Sequence, residues 1–231
     1  MTLEFRDILV RQGQFTLTAD LTLPRGGRFA VIGPSGSGKS TLLSLIGGYL
    51  SPDRGRLIWD GQDLADQAPG QRPVSTLFQN HNLFPHLSVK RNVGLGLRPD
   101  LRLDRHQQQR VAEALQQVGL AGMEERRPAA LSGGQQSRVA LARVLLRARP
   151  LLLLDEPFSA LGPALKSEML SLLSRIADDT GATVLMVTHD PADARAFAPQ
   201  TVLIENGQAR PPRPTGPLLD DPPPGLRAYL G

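Results

Sequence analysis

The sequence predicts an α/β fold: a mainly parallel sheet core, an N-terminal antiparallel β layer and an inserted helical lobe. Three observations predict it. Apolar runs of strand length alternate with amphipathic stretches of helix length, the pattern of a largely parallel sheet with helices on both faces. One such run leads through a glycine-rich loop, Gly33-Pro34-Ser35-Gly36-Ser37-Gly38-Lys39-Ser40-Thr41, into a helix. From about residue 80 to 147 the strand signal lapses and helical spacing takes over, before strands return at Leu151. With 231 residues and 40% apolar content, one full core is within reach, and 4% aromatic content makes it aliphatic. A single domain over residues 1–231 is expected, with its helical lobe at about 80–147 and a Pro-rich tail at about 209–231.

The elements follow in order. Phe15 to Leu23 alternates apolar and polar residues, as a half-buried strand of the antiparallel layer does. Pro24 to Gly27 is a turn. Phe29-Ala30-Val31-Ile32 reads as a buried strand, and Thr41 to Ile46 as the helix beyond the loop. Arg56 to Trp59 followed by Asp60-Gly61 is a strand and tight turn. Val74 to Phe78 is a further strand, ending at Gln79. Within the lobe, Asp104 can cap a helix whose apolar face is Val111, Leu115 and Val118. A second lobe helix runs from about Gly134 to Arg147. After the strand Leu151 to Leu154 comes a helix with Leu165, Met169, Leu172, Leu173 and Ile176 on one face, and Gly181 at its C-terminal cap. Thr183 to Thr188 and Thr201 to Glu205 are strands, the second turning at Asn206-Gly207. Beyond Ala209 the chain is rich in proline (Arg210 to Pro214; Pro222 to Pro224) and reads as irregular.

The glycine-rich loop fits G-x-x-x-x-G-K-[ST], a phosphate-binding loop. Its glycines let backbone N–H groups approach phosphate oxygens, and the helix start adds unpaired donors and a positive dipole end. Lys39 should reach the β- and γ-phosphates and the Ser40 hydroxyl should ligate Mg²⁺. By itself the motif specifies a nucleoside triphosphate and Mg²⁺. Asp155 and Glu156 close an apolar strand. Asp155 is placed to hold Mg²⁺, and Glu156, one step further out, to polarise the attacking water. Gln79 ends another strand, where its carboxamide could reach the metal or the water. His189 follows Val187-Thr188 and could hydrogen-bond the γ-phosphate. Ligands of such sheets bind at the carboxyl ends of the strands, so these groups can converge on one site. Leu131-Ser132-Gly133-Gly134-Gln135 is a second glycine-rich loop at a helix start, hence a second anion-binding device.

Composition narrows the setting. There is no cysteine, which excludes disulfides and thiolate metal sites. No stretch approaches the roughly 18–20 apolar residues of a membrane span. The N-terminus lacks the basic-then-apolar pattern of a signal peptide, so a cytosolic protein is expected, reaching a membrane only through a partner. The 26 basic and 22 acidic residues are dispersed, with no concentrated basic stripe of the kind nucleic acid binding needs.

Taken together, Gly33–Thr41, Gln79, Leu131–Gln135, Leu154-Asp155-Glu156-Pro157, Ser159-Ala160-Leu161 and His189 resemble, in order and spacing, the ATPase subunits of ABC transporters. The resemblance covers the chain from about Leu3 to Gly207. It implies the ABC ATPase form of the phosphate-loop fold, ATP as the nucleotide, and two copies paired head to tail. Ser132, Gly133 and Gly134 of one copy would then contact the γ-phosphate held by the other. It further implies integral-membrane permease subunits as partners, engaged through the segment after Gln79 and the helical lobe. A periplasmic solute-binding protein would be an indirect partner. Arg72 to Gln79, Asn82-Leu83-Phe84 and Asn92 to Leu97 are similar to the ATP-binding subunits of bacterial thiamine importers. Importers of polyamine, iron, sulfate or molybdate have similar cassettes. Soluble cassette ATPases acting on nucleic acid or ribosomes form the other class.

Two positions depart from that pattern. Gly162 stands where the family usually has Asp after Ser-Ala-Leu, in a loop that crosses the interface between the two copies. Near position 10, where an adenine-stacking aromatic is usual, the chain reads Val10-Arg11-Gln12. Phe15 could substitute for it, but its place in the alternating strand favours the core. Weak discrimination between ATP and GTP is the expectation.

Overall fold

The computed structural model describes residues 2–78 and 82–230. In chain order it begins with strands β1 (Thr2–Gln12), β2 (Phe15–Pro24) and β3 (Arg28–Ile32), then helix α1 (Lys39–Gly47). Strands β4 (Arg54–Trp59), β5 (Gln62–Asp63) and β6 (Val74–Leu77) precede the lobe helices α2 (Val89–Gly94), α3 (Arg105–Gln117) and α4 (Gly133–Leu146). Then come β7 (Leu151–Asp155), α5 (Pro163–Thr180), β8 (Thr183–Val187), α6 (Pro191–Phe197) and β9 (Gln200–Glu205). The chain closes with β10 (Gln208–Ala209), β11 (Arg213–Pro214), α7 (Thr215–Asp220) and α8 (Pro224–Leu230).

Strands β9, β3, β8, β7 and β6 lie side by side and parallel. Strands β5, β4, β1 and β2 form an antiparallel layer. The hairpin β9–β10 joins the two, because β10 pairs antiparallel with β9 and parallel with β2. Alternate side chains of the core strands enter two separate clusters, as the two-residue period of a strand requires. Val31, Leu153 and Leu185 pack with α1 and the antiparallel layer. Ala30, Ile32, Leu152, Leu154 and Met186 pack with α4, α5 and the lobe. One face of the parallel sheet is therefore covered by α1 together with a β layer, rather than by helices on both faces.

Local signals explain most elements. Asp104 accepts from the Gln107 N–H at 2.8 Å, and the Gln107 side chain returns a bond to the Asp104 N–H, which starts α3 with a capping box. Gly181 takes the left-handed conformation (φ 63°) that ends α5. Asn206 and Gly207, both at positive φ, make the β9–β10 turn.

Two departures have clear causes. Strand β1 was not expected, because its alternation breaks at a bulge between Phe5 and Ile8, where Asp7 adopts φ 49°. The buried set Leu3, Phe5, Ile8, Val10 thus slips by one residue midway. The Pro-rich end, expected to be irregular, instead forms β11, α7 and α8, with Leu218, Leu219 and Leu226 buried. Its prolines sit where helices tolerate them: Pro224 opens α8 and Pro217 lies in the first turn of α7, whose N–H groups have no intrahelical partner.

Candidate active site

The phosphate loop occupies residues 33–38, between the end of β3 and α1. Gly33 has no alternative here, since a Cβ would collide with the Ile204 carbonyl of β9. Gly38 takes φ 109° as the N-cap residue of α1, and no side chain caps the helix. The first-turn N–H groups of α1 therefore keep their anion-binding capacity. At the other end of α1, the buried Arg72 guanidinium donates to the carbonyls of Leu45 (2.7 Å) and Ile46 (3.0 Å). A cation at the helix C-terminus complements the dipole whose positive end faces the loop.

Lys39 folds back over the loop, its Nζ donating to the carbonyls of Gly33 (2.7 Å) and Pro34 (2.8 Å). Burial lowers its pKa, against the pull of Glu156 and Asp155. The Ser40 hydroxyl donates to Asp155 Oδ2 at 3.1 Å. Asp155 ends β7, and its pKa is raised by burial and by Glu156, against the Ser40 bond and Lys39. These hard oxygen donors, side by side, suit Mg²⁺. The Ser37 hydroxyl is buried inside the loop with no hydrogen-bond partner among the described residues, as suits a group that meets a ligand. The residues present thus fit both phosphate and Mg²⁺.

Glu156 has a left-handed backbone (φ 47°), an uncommon state for a residue with a Cβ. Its N–H is held by the Val187 carbonyl at 3.1 Å. Its Oε2 lies 3.2 Å from His189 Nδ1. Lys39, Ser40, Asp155, Glu156 and His189 therefore gather at the carboxyl ends of β3, β7 and β8. Gln79 lies outside the described residues. A cleft of about 520 Å³ is bordered by Ser35, Gly36 and Gly38 of the loop, by Lys39, Ser40 and Thr41 of α1, and by Asp155, Glu156 and Val187.

Gln12, which no sequence pattern marks, and Phe15, which the alternation favours as a core residue, also border that cleft. Phe15 packs against the core but is only half-buried, and its ring closes on Gly38. It is the last inward residue of the row Leu23, Leu21, Ala19, Leu17, Phe15, which runs past the core edge over the phosphate loop. The alternation was legible; where the core ends along it was not. Phe15 gives the cleft an aromatic face. Gln12, its partner across the hairpin, has Oε1 3.4 Å from the Thr41 hydroxyl.

The second glycine-rich loop stands apart from this cleft. Ser132 starts α4 with a capping box: its hydroxyl accepts from the Gln135 N–H at 3.3 Å, and Gln135 Oε1 accepts from the Ser132 N–H at 2.9 Å. Gly133 and Gly134 lie against Ala160 and Leu161, so this loop packs on the loop between β7 and α5. Gly162 is the N-cap residue of α5 without a side-chain bond, and open space surrounds the position of a Cβ there.

A family model described as ABC transporter matches residues 17–159. A thiamine import ATP-binding protein ThiQ of Cereibacter sphaeroides is 63% identical over 224 residues, covering 97% of each chain. The protein of the same name from Ruegeria is 56% identical over 99% of each. Among solved structures, the ATP-binding cassette MJ0796, a dimer in a post-hydrolysis state bound to ADP and Pi, superposes with a TM-score of 0.80 at 30% identity. That match covers 93% of this chain and 98% of the other.

Proposed function

We propose, for a chain that belongs to the ABC transporter family, that it is the ATP-binding and hydrolysing subunit of a bacterial thiamine importer. Residues 1–231 form one ATP-binding domain in this reading. The single observation that carries the chemistry is the pairing of the Ser40–Asp155 bond (3.1 Å) with the Glu156–His189 contact (3.2 Å) beside the phosphate loop. The printed names of relatives such as the Cereibacter protein support thiamine as the solute.

The reaction is in-line attack of water on the γ-phosphorus of ATP, with ADP as leaving group. The backbone N–H groups of residues 33–38 and the start of α1 cradle the phosphates. Lys39 leaves the two loop carbonyls for the β- and γ-phosphate oxygens. Ser40, Asp155 and Gln79 would hold Mg²⁺, which supplies neutralisation of charge on the β- and γ-oxygens. Glu156 Oε accepts a proton from the attacking water as its oxygen bonds to phosphorus. His189 holds the Glu156 carboxylate in place and stabilises charge on the transferred group. Ser132, Gly133 and Gly134 of a second copy close the γ-phosphate side.

Coupling to transport runs through the lobe. Among the described residues no helix is long and apolar enough to cross a membrane, so permease subunits would hold the protein at the cytoplasmic face of the inner membrane. Support comes from the segment following Gln79. Asn92 is fully buried and binds the carbonyls of Phe84, Leu87 and Ser88 at 3.1–3.2 Å, fixing a loop that leaves Phe84 exposed.

The test is uptake of labelled thiamine at low concentration in cells lacking the gene, restored with the native chain or with Glu156→Gln. Uptake rescued by the native chain alone is expected. Normal uptake in the deleted cells, with no other thiamine carrier present, rejects thiamine as the solute.

A further inference from the structure

The loop that carries His189 is short, and the imidazole itself is 57% exposed, with Glu156 as its contact. What fixes that loop lies behind it. Lys166 is in the first turns of α5, its N–H closing on the Gly162 carbonyl at 2.9 Å. Its ammonium reaches across to Asp190 Oδ2 at 2.9 Å and to Asp193 Oδ1 at 3.2 Å.

Those two carboxylates organise the chain around His189. Asp190 caps α6 by accepting from the Ala192 N–H at 2.9 Å, and its own N–H donates to the Thr188 hydroxyl at 3.1 Å. The Thr188 hydroxyl lies 3.3 Å from Asp193 Oδ2. Thr188, Asp190 and Asp193 are thus locked together, and one cation holds the set to α5. Removing that cation leaves two carboxylates facing each other, with the Asp193 side chain only 10% exposed. Two carboxylates of which one is buried repel and rearrange when no counter-ion lies between them. Burial by itself would lower the Lys166 pKa, but its bonds to Asp190 and Asp193 outweigh burial and raise it.

We infer that Lys166 is a positioning residue for hydrolysis: it ties the His189 loop to the helix that starts at Gly162, and so holds the imidazole against Glu156. The inference rests on the ATPase reading above. It also links two parts of the site through one side chain. A displacement of the Ser159–Gly162 loop, which adjoins Gly133 and Gly134, moves the start of α5 and with it the His189 loop.

The experiment is steady-state phosphate release by the full-length protein with Mg²⁺ and ATP, comparing Lys166→Met and Lys166→Arg with the native chain. Misplaced catalytic geometry lowers turnover without touching ground-state binding, so Lys166→Met should lose about tenfold or more in kcat with KM changed less than about twofold. Lys166→Arg, which keeps the bridge, should recover at least about half the native kcat. A Lys166→Met protein with native kcat, or one whose loss appears in KM and is not restored by arginine, overturns the inference. Should Lys166→Met fail to fold, Asp193→Asn removes one carboxylate charge while keeping an oxygen for Thr188. A fall in its kcat at constant KM supports the bridge, and a native kcat rejects it. Absence of hydrolysis by the native chain would instead strike at the ATPase reading.

Discussion

At the scale of single residues, the site depends on backbone as much as on side chains. Gly33 shows this. Strands β3 and β9 are paired in register up to Ile32 and Leu203, so the chain leaving β3 passes directly beside the Ile204 carbonyl. Gly33→Ala must displace either β9 or the phosphate loop, and overpacking of this kind costs about 1–3 kcal/mol. The expected result is a lowered melting temperature together with weakened nucleotide binding. Gly70→Ala, where nothing lies within 4 Å, should stay within about 0.5 kcal/mol of native. Equal behaviour of the two variants in thermal melts and nucleotide titration would refute the close-approach argument. Much at this scale was legible beforehand: Lys39, Ser40, Asp155, Glu156 and His189 do come together. Asp155, Glu156 and His189 sit at or just past the ends of apolar strands, Lys39 and Ser40 open the helix after the glycine-rich loop, and the parallel-sheet pattern brings strand ends to one edge. Lys166 was not legible as part of the site. A lysine near a helix start carries no local signal, and its partners are more than twenty residues downstream.

Elements with a regular period were read well, and those with a broken period were not. Helix α5 and strand β2 keep one period throughout, and strands β7 and β8 are unbroken apolar runs buried on both faces. Strand β1 loses its period at the Phe5–Ile8 bulge, and helices α7 and α8 are masked by proline content. In both cases the information is tertiary. Gly55 accommodates the bulge by running against the Asp7 backbone, and β11 docks on β9 with the Thr201 and Thr215 hydroxyls 2.9 Å apart. Helix α8 is anchored by Leu226, which is fully buried in the same cluster as Leu154 and Met186. Leu226→Ala should therefore destabilise the protein by about 2–5 kcal/mol, the range for deleting a buried leucine. Denaturant unfolding monitored by circular dichroism measures it. A change under about 0.5 kcal/mol would show that α8 contributes nothing to the core, as an irregular tail would.

For the molecule as a whole, the sequence conveyed the alternation of elements but not the strand order, because pairing partners are distant in the chain. That β10 bridges β2 and β9, and so lays the antiparallel layer over one sheet face, depends on contacts no local pattern records. The larger consequence concerns the two glycine-rich loops. Within one chain, Gly133 and Gly134 lie beside Ala160 and Leu161, and residues 132–135 do not border the cleft around Lys39. Helix α4 is 14 residues long with no acidic residue in its first turn, so its dipole still presents a positive end there, although the Ser132 hydroxyl occupies the Gln135 N–H. In the head-to-tail pair that the family resemblance implies, such an end meets the γ-phosphate held by the phosphate loop of a second copy. A symmetric pair then completes two sites at once. Hydrolysis removes the bridging group, so a variant that binds ATP without cleaving it should accumulate the pair. Glu156→Gln, with Mg²⁺ and ATP, is accordingly expected to double in mass from the 25.0 kDa monomer by light scattering, and to return to monomer when ADP replaces ATP. Adding Ser132→Arg to it, which fills the donor end of α4 with a bulky side chain, should abolish the doubling while leaving ATP bound. A Glu156→Gln protein that stays monomeric at saturating ATP, or a pair indifferent to Ser132→Arg, would mean that the second glycine-rich loop does not serve the nucleotide of a partner copy.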